Sequence, residues 1–332
     1  MILDILKIKE IMCGAVSVKE TETGYVVYRF TDDELAVEGN SNVHYSAGIK
    51  LSFLTDATTV KMKVNTNKTL AIRSYFAIDV LCNGELAGCI TNCENTEGDF
   101  ANKSFPLGEY SGEIKFPHGE KAVDIVLPHS VKCEIEYIEL VNASFVKAVK
   151  KNKILLAYGD SITQGYDALH PINTYAYRLA NFLDAEIFNK GLGGAPFCPY
   201  LVKADSGVNP DIITVAYGTN DWSSQSAESI RNNIKNFFAE LDKKYHGIPV
   251  FAITPIWRDD KDKPKGSGEF SVIKQMITEE CAPYKNVTVV DGLSLVPGEQ
   301  NLFGDFRIHP NDEGFKHYAE NLYNAMKSTI HN

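Results

Sequence analysis

Apolar and polar positions follow two different periods along this chain. From Gly24 to about Val146 they alternate in short runs, "YVVYRF", "AGIKLSFL", "TTVKMKV", "YFAIDVLC", "KAVDIVLP" and "CEIEYIEL", separated by turn residues at "VEGNSN", "NTNKT" and "CNGELAG". Alternation puts every second side chain on one face, so each run reads as a strand with one buried side, and their succession predicts an antiparallel sandwich. No amphipathic helix of convincing length interrupts this half. Beyond Lys150 the apolar runs become continuous, "ILLAYG", "AEIFNKG", "DIITVAYG", "PVFAIT" and "VTVVDG", and alternate with helical segments. In the clearest of these, "SAESIRNNIKNFFAELDKKY", Ile230, Ile234, Phe237, Phe238 and Leu241 share one face and Ser226 caps the start. "NTYAYRLANFLDA", "FSVIKQMITEECA" and "EGFKHYAENLYNAM" have the same period. Strand and helix in alternation predict a parallel sheet covered on both faces. The expected architecture is therefore α/β: an all-β sandwich over residues 1–148, then a three-layer α/β/α domain over 149–332, joined near "SFVKAVKKNK".

Composition narrows the function classes. The 332 residues, 44% of them hydrophobic, suffice for the cores of two domains. A formal charge of -10 without a local basic patch disfavours nucleic acid and anionic membrane as partners. The N-terminal "MILDILKIKE" carries charges inside its apolar stretch, unlike a secretory signal, and no run reaches membrane-spanning length, which points to the cytoplasm. Cysteines at 13, 82, 89, 93, 133, 198 and 281 lack the paired spacings of a zinc site and read as reduced thiols. The acidic "DDKD" at 259–262 reads as a solvated loop rather than a cation site, and no metal or cofactor is expected.

The chemistry sits where the strands end. Ligands of an open parallel sheet bind at the carboxyl ends of its strands. There "ILLAYGDSITQGY" holds out Ser161, and "NKGLGGAPF" supplies Gly191, Gly193 and Gly194 with bare N–H groups. "YGTNDW" offers the Asn220 amide, and "GDFRIHPNDEGF" carries His309 with Asp305 just upstream. A serine nucleophile needs a base within hydrogen-bond reach, an acceptor that orients the base, and donors aimed at the oxyanion. Singly, each block is an ordinary turn or helix cap, with Asn311 or Asp312 able to cap the last helix. The elbow G-x-S-x-G of the α/β-hydrolases is absent, because Thr163 stands at its final glycine.

In this order the four blocks "YGDSITQG", "NKGLGG", "GTND" and "HPND" resemble those of the SGNH hydrolases, the GDSL esterase/lipase family, over about Ile154 to Ile330. The resemblance implies Ser161 as nucleophile and His309 as base. It also implies the Ser161 N–H, the Gly194 N–H and the Asn220 side chain as oxyanion donors. The family acid usually lies three residues before the histidine, where this chain has Phe306; Asp305 lies four before. Either the intervening "FRI" bulges so that Asp305 reaches the imidazole, or the enzyme is a Ser-His dyad. More weakly, the N-terminal half resembles the jelly-roll domain that precedes the SGNH domain in some carbohydrate esterases. With Trp222 and Trp257 at strand ends as candidate sugar contacts, the implied activity is hydrolysis of short-chain, acetyl esters on carbohydrates or oligosaccharides. A lysophospholipase or thioesterase, and a non-catalytic glycan-binding protein, are the alternatives.

Overall fold

In the computed structural model, which describes residues 1–67, 73–93, 101 and 103–330, two antiparallel sheets face each other in the first half of the chain. Among the described residues one sheet runs Met12–Cys13 (β1), Lys50–Thr55 (β4), Lys121–Val126 (β9), Ala77–Cys82 (β6) and Glu85–Thr91 (β7), with Val146–Ala148 (β11) also paired to β4. The other runs Ser17–Glu20 (β2), Tyr25–Tyr28 (β3), Lys132–Val141 (β10), Thr59–Asn67 (β5) and Glu109–Lys115 (β8). The alternation does what it predicts: on β5, Val60, Met62 and Val64 enter the core while Lys61 and Lys63 face outward. Their partners across the sandwich include Phe53, Ile78, Val80 and Ile125. The turn at "NTNKT" runs beyond Asn67 into residues outside those described.

Two short helices, Ile5–Ile11 (α1) and Asp32–Val37 (α2), belong to this half and were not expected. The second is too short to display a helical period, but it has a full capping box between Thr31 and Glu34.

The second half is built on five parallel strands, Lys153–Gly159 (β12), Ala185–Gly191 (β13), Ile212–Ala216 (β14), Val250–Ile253 (β15) and Val287–Val290 (β16), in the order β13-β12-β14-β15-β16. Seven helices, Ser161–Gln164 (α3), Tyr175–Phe182 (α4), Pro199–Lys203 (α5), Thr219–Ser224 (α6), Ala227–Lys244 (α7), Ser271–Cys281 (α8) and Asp312–Ile330 (α9), connect or cover them among the described residues. Alternate residues of β12 feed two cores. Leu155 and Ala157 pack with α4 and α9, through Tyr175, Phe315 and Leu322, whereas Leu156 and Tyr158 pack with α7 and α8, through Ile234, Phe237 and Ile273. This is the three-layer α/β/α arrangement. Because β13 lies on one side of β12 and β14 on the other, the strand order reverses at β12, and its carboxyl end opens into the crevice where such sheets bind ligands.

The two halves interlock through buried polar groups. Lys190 on β13 and Glu34 on α2 form an ion pair at 2.6 Å with both side chains fully buried. Arg29, also buried, donates to the carbonyls of Tyr45, Asn42, Asn189 and Gly191. All seven cysteines are free thiols. Among the described residues no helix is long and apolar enough to cross a membrane.

Candidate active site

Strand β12 ends at Gly159, and the chain turns directly into α3. Asp160 caps that helix, its Oδ1 accepting the Ile162 N–H at 2.9 Å, so Ser161 occupies the first helical position. The opposing strand must come close: a Cβ on Gly191 would meet the Gln164 nitrogen at 2.4 Å, so only glycine fits there. Gln164 then reaches across the glycine loop and accepts the Gly193 N–H at 2.8 Å.

Ser161 Oγ lies 2.8 Å from His309 Nε2, and His309 Nδ1 lies 2.7 Å from Asp305 Oδ2. With the Nδ1–H donated to the carboxylate, the neutral imidazole turns its Nε2 lone pair to the serine. The four-residue spacing closes because Phe306 adopts the left-handed conformation, φ 56°. The other oxygen of Asp305 accepts the backbone N–H groups of Arg307, Ile308 and His309 at 3.0, 2.8 and 3.1 Å. Burial opposes the charge on Asp305, but the His309 contact and these N–H groups prevail and hold its carboxyl well below the usual range. At Asp160 burial outweighs the Ile162 N–H and the attraction of the same imidazole, and pushes its carboxyl up to about 7. Asn311 caps α9 by accepting the Gly314 N–H at 3.0 Å, which fixes the histidine loop to the last helix.

Of the expected oxyanion groups, no described residue accepts a hydrogen bond from the N–H of Ser161 or of Gly194. Gly194 has φ 79°, a conformation that glycine adopts at little cost. The neighbouring Gly193 N–H is already taken by Gln164, which leaves Gly194 as the free donor of this loop. Asn220, at the start of α6, donates one N–H to Ala195 O at 3.1 Å and has a second to offer.

The tryptophans divide. Trp222, expected at the substrate, is instead fully buried: its Nε1 donates to Gly268 O at 2.9 Å, Phe270 packs against it, and Arg258 lies over the ring. Its face is spent on the core, so it has none to offer a sugar. Trp257 is half-buried, packed against Phe303 at 4.8 Å between ring centroids. In the "DDKD" loop, Asp260 is held by Arg258 and Lys265, as a structural ion pair.

Several residues at the site carried no signal in sequence. Asp167 follows α3 and is fully buried, and Arg73 enters from the N-terminal half to bind it. Tyr166 packs its ring 5.6 Å from that of His309 and donates its hydroxyl to Asn42 Oδ1 at 3.2 Å. Asn40 and Asn42 both donate to Gly193 O, so the sandwich supports the glycine loop directly.

Among the described residues two groups bring three metal-ligand atoms together, Asp79, Cys89 and His170, and Asp167, Asp305 and His309. In the first, His170 Nδ1 and Asp79 Oδ1 pair at 2.7 Å, and in the second Arg73 already binds both oxygens of Asp167. The carboxylates and imidazoles of both groups are thus already hydrogen-bonded to one another or to Arg73.

No curated protein sequence matches the chain. Among solved structures it is similar to the salicylyl-acyltransferase SsfX3 of a tetracycline biosynthetic pathway, at 18% identity and TM-score 0.79 over 96% of this chain and 94% of that one. It is also similar to the acetyl xylan esterase Est2A of the rumen bacterium Butyrivibrio proteoclasticus, at 14% identity and TM-score 0.65 over 99% of both chains. A family two carbohydrate esterase of Clostridium thermocellum, in complex with cellohexaose, aligns at 14% identity and TM-score 0.64 over 85% of this chain and 92% of that one. These likenesses span both halves, so the arrangement of sandwich and parallel sheet is shared as a whole. Residues 157–317 match the model of the GDSL-like lipase/acylhydrolase family, so this part of the chain is similar to that family's domain.

Proposed function

We propose that this protein is a serine esterase that removes short acyl groups, acetyl above all, from carbohydrates or oligosaccharides. The observation that carries the chemistry is the chain of contacts from Ser161 Oγ through His309 to Asp305, at 2.8 and 2.7 Å, beside two N–H groups that have no acceptor among the described residues. His309 takes the serine proton as Oγ attacks the ester carbonyl. The oxyanion meets the N–H groups of Ser161 and Gly194 and the Asn220 amide. The imidazolium, held by Asp305, then protonates the leaving alcohol, and water repeats the cycle on the acyl-enzyme.

What supports a polar substrate is the likeness to carbohydrate esterases, and Trp257 is the remaining candidate for a sugar face.

An acyl-enzyme can also be resolved by an alcohol in place of water, and the likeness to an acyltransferase makes this a second reading. The test is acetate release from acetylated xylo- and manno-oligosaccharides against a panel of long-chain esters, with and without added sugar acceptors, and Ser161→Ala as control. Preferential, Ser161-dependent acetate release is expected. Faster cleavage of long chains would remove the carbohydrate reading, and acyl transfer to the acceptor in place of acetate would favour the second one.

A further inference from the structure

Two carboxylates, rather than one, face the imidazole of His309. Asp305 Oδ2 lies 2.7 Å from Nδ1, and Asp167 Oδ2 lies 3.9 Å from the same atom. Asp167 reaches this place because it follows α3 in the left-handed conformation, φ 72°, with its side chain fully buried. This raises an electrostatic difficulty. Each carboxylate favours the imidazolium, and a base that keeps its proton at working pH cannot accept one from the serine.

The compensating cation comes from the other half of the chain. Arg73 Nε donates to Asp167 Oδ1 at 2.6 Å and Nη2 to Oδ2 at 3.1 Å, and the guanidinium is almost wholly buried. Its Nη2 also stands 3.7 Å from Asp305 Oδ2. Tyr75 completes the clamp, its hydroxyl accepting the Asp167 N–H at 2.8 Å and donating to Oδ1 at 3.3 Å. The other groups near the imidazole are Ser161 at Nε2, the Tyr166 ring, whose hydroxyl is bound to Asn42, and the buried Asp160 at the cap of α3. Arg307, on the histidine loop itself, turns to Asp259 at the surface.

We propose that Arg73 is a positioning residue of the active site: it takes Asp167 as its own counter-ion and leaves Asp305 alone to orient His309 and set its basicity. This rests on the esterase reading above and deepens it, since it makes the N-terminal sandwich a contributor to the catalytic base.

The test is the acid limb of the pH dependence of kcat/KM on 4-nitrophenyl acetate, which reports ionisation of the base in the free enzyme. Arg73→Met leaves Asp167 uncompensated beside the imidazole, and the limb is expected to move to higher pH by about one unit. Asp167→Asn leaves the guanidinium charge uncompensated, and the limb is expected to move to lower pH. The double variant removes both charges and returns the limb to its wild-type position, while Arg73→Lys holds it there. A role confined to folding would lower rates or stability and leave the limb unmoved, and that result in both single variants would overturn the proposal. Should Arg73→Met fail to fold, Asp167→Asn decides alone, an unmoved or upward-moving limb counting against it. NMR titration of His309 in ¹⁵N-histidine-labelled protein reads the same shifts without turnover. If the wild type hydrolyses no ester yet these titrations move as stated, the esterase reading fails and the role of Arg73 stands.

Discussion

Lys190 Nζ lies 2.6 Å from the Glu34 carboxylate, and neither side chain has any contact with solvent. Lys190 belongs to the strand that leads into the glycine loop, and Glu34 to the short helix α2 of the sandwich. Taking both ions out of water is costly, and their attraction recovers that cost only while both are present. The Lys190 ammonium is further satisfied by Arg29 O, but burial still pushes its pKa down, to about 8. Lys190→Met is therefore expected to lower unfolding free energy by about 3–5 kcal/mol, by stranding a buried carboxylate, whereas Lys190→Met combined with Glu34→Leu recovers most of the loss. Urea denaturation of the three proteins measures this. Equal stability of single and double variants would show that a stranded carboxylate is not the source of the loss.

Asp305 performs two tasks with its two oxygens, one on His309 Nδ1 and one on three successive backbone N–H groups. Asp305→Asn keeps an acceptor for the backbone but no longer stabilises the imidazolium. It is expected to lower kcat by about 10³–10⁴-fold with little change in melting temperature. Asp305→Ala adds a loss of about 1–3 kcal/mol in stability by leaving those N–H groups unpaired. Full turnover in both variants would establish a Ser-His dyad.

How far these features can be read from sequence depends on how local their cause is. The strands, the parallel sheet and the four blocks were legible because period, glycine and cap residues act within a few positions, as Ile230, Ile234 and Phe237 do on α7. The bulge that brings Asp305 to His309 was legible as an alternative, since it needs only Phe306 to leave the right-handed region. The six residues of α2 gave no period, and the capping box at Thr31 and Glu34 was the signal that could have found it. Arg73 gave none at all. It stands 94 residues from Asp167, in a half of the chain without catalytic motifs, and only the packing of sandwich on sheet makes them partners. Trp222 misled for a related reason. A tryptophan at a strand end suits a sugar as well as a core, and the choice was made by Phe270, Gly268 and Arg258, which meet it from distant segments.

Asn220 offers a clean measurement of the oxyanion contribution, because the hydrogen bond its side chain makes among the described residues, to Ala195 O, is a modest one at 3.1 Å. Asn220→Ala is expected to lower kcat by about a hundredfold, equivalent to about 3 kcal/mol of transition-state stabilisation, with KM and melting temperature nearly unchanged. A loss below about threefold would remove Asn220 from the oxyanion site.

Asp221, its neighbour, is expected to govern stability rather than turnover. The carboxyl is fully buried, where it accepts the Phe197 N–H at 3.1 and 3.3 Å, and burial pushes its pKa up to about 6 despite these bonds. In the unfolded chain the same group ionises near the ordinary aspartate value of 3.8. Between these two values the folded state binds the extra proton, so this group's contribution to stability falls as pH rises through the window and is constant above it. The sign is opposite to that of Asp305, whose depressed pKa contributes stability above the unfolded value that is lost on acidification. Asp221→Asn keeps an acceptor for the Phe197 N–H and removes the ionisation. Relative to the wild type, the variant should therefore gain about 2 kcal/mol on going from pH 4 to pH 7, most of the free-energy equivalent of the shift. Paired urea titrations at the two pH values measure the difference, and a gap that does not widen with pH would mean that Asp221 is already ionised in the folded protein at pH 4.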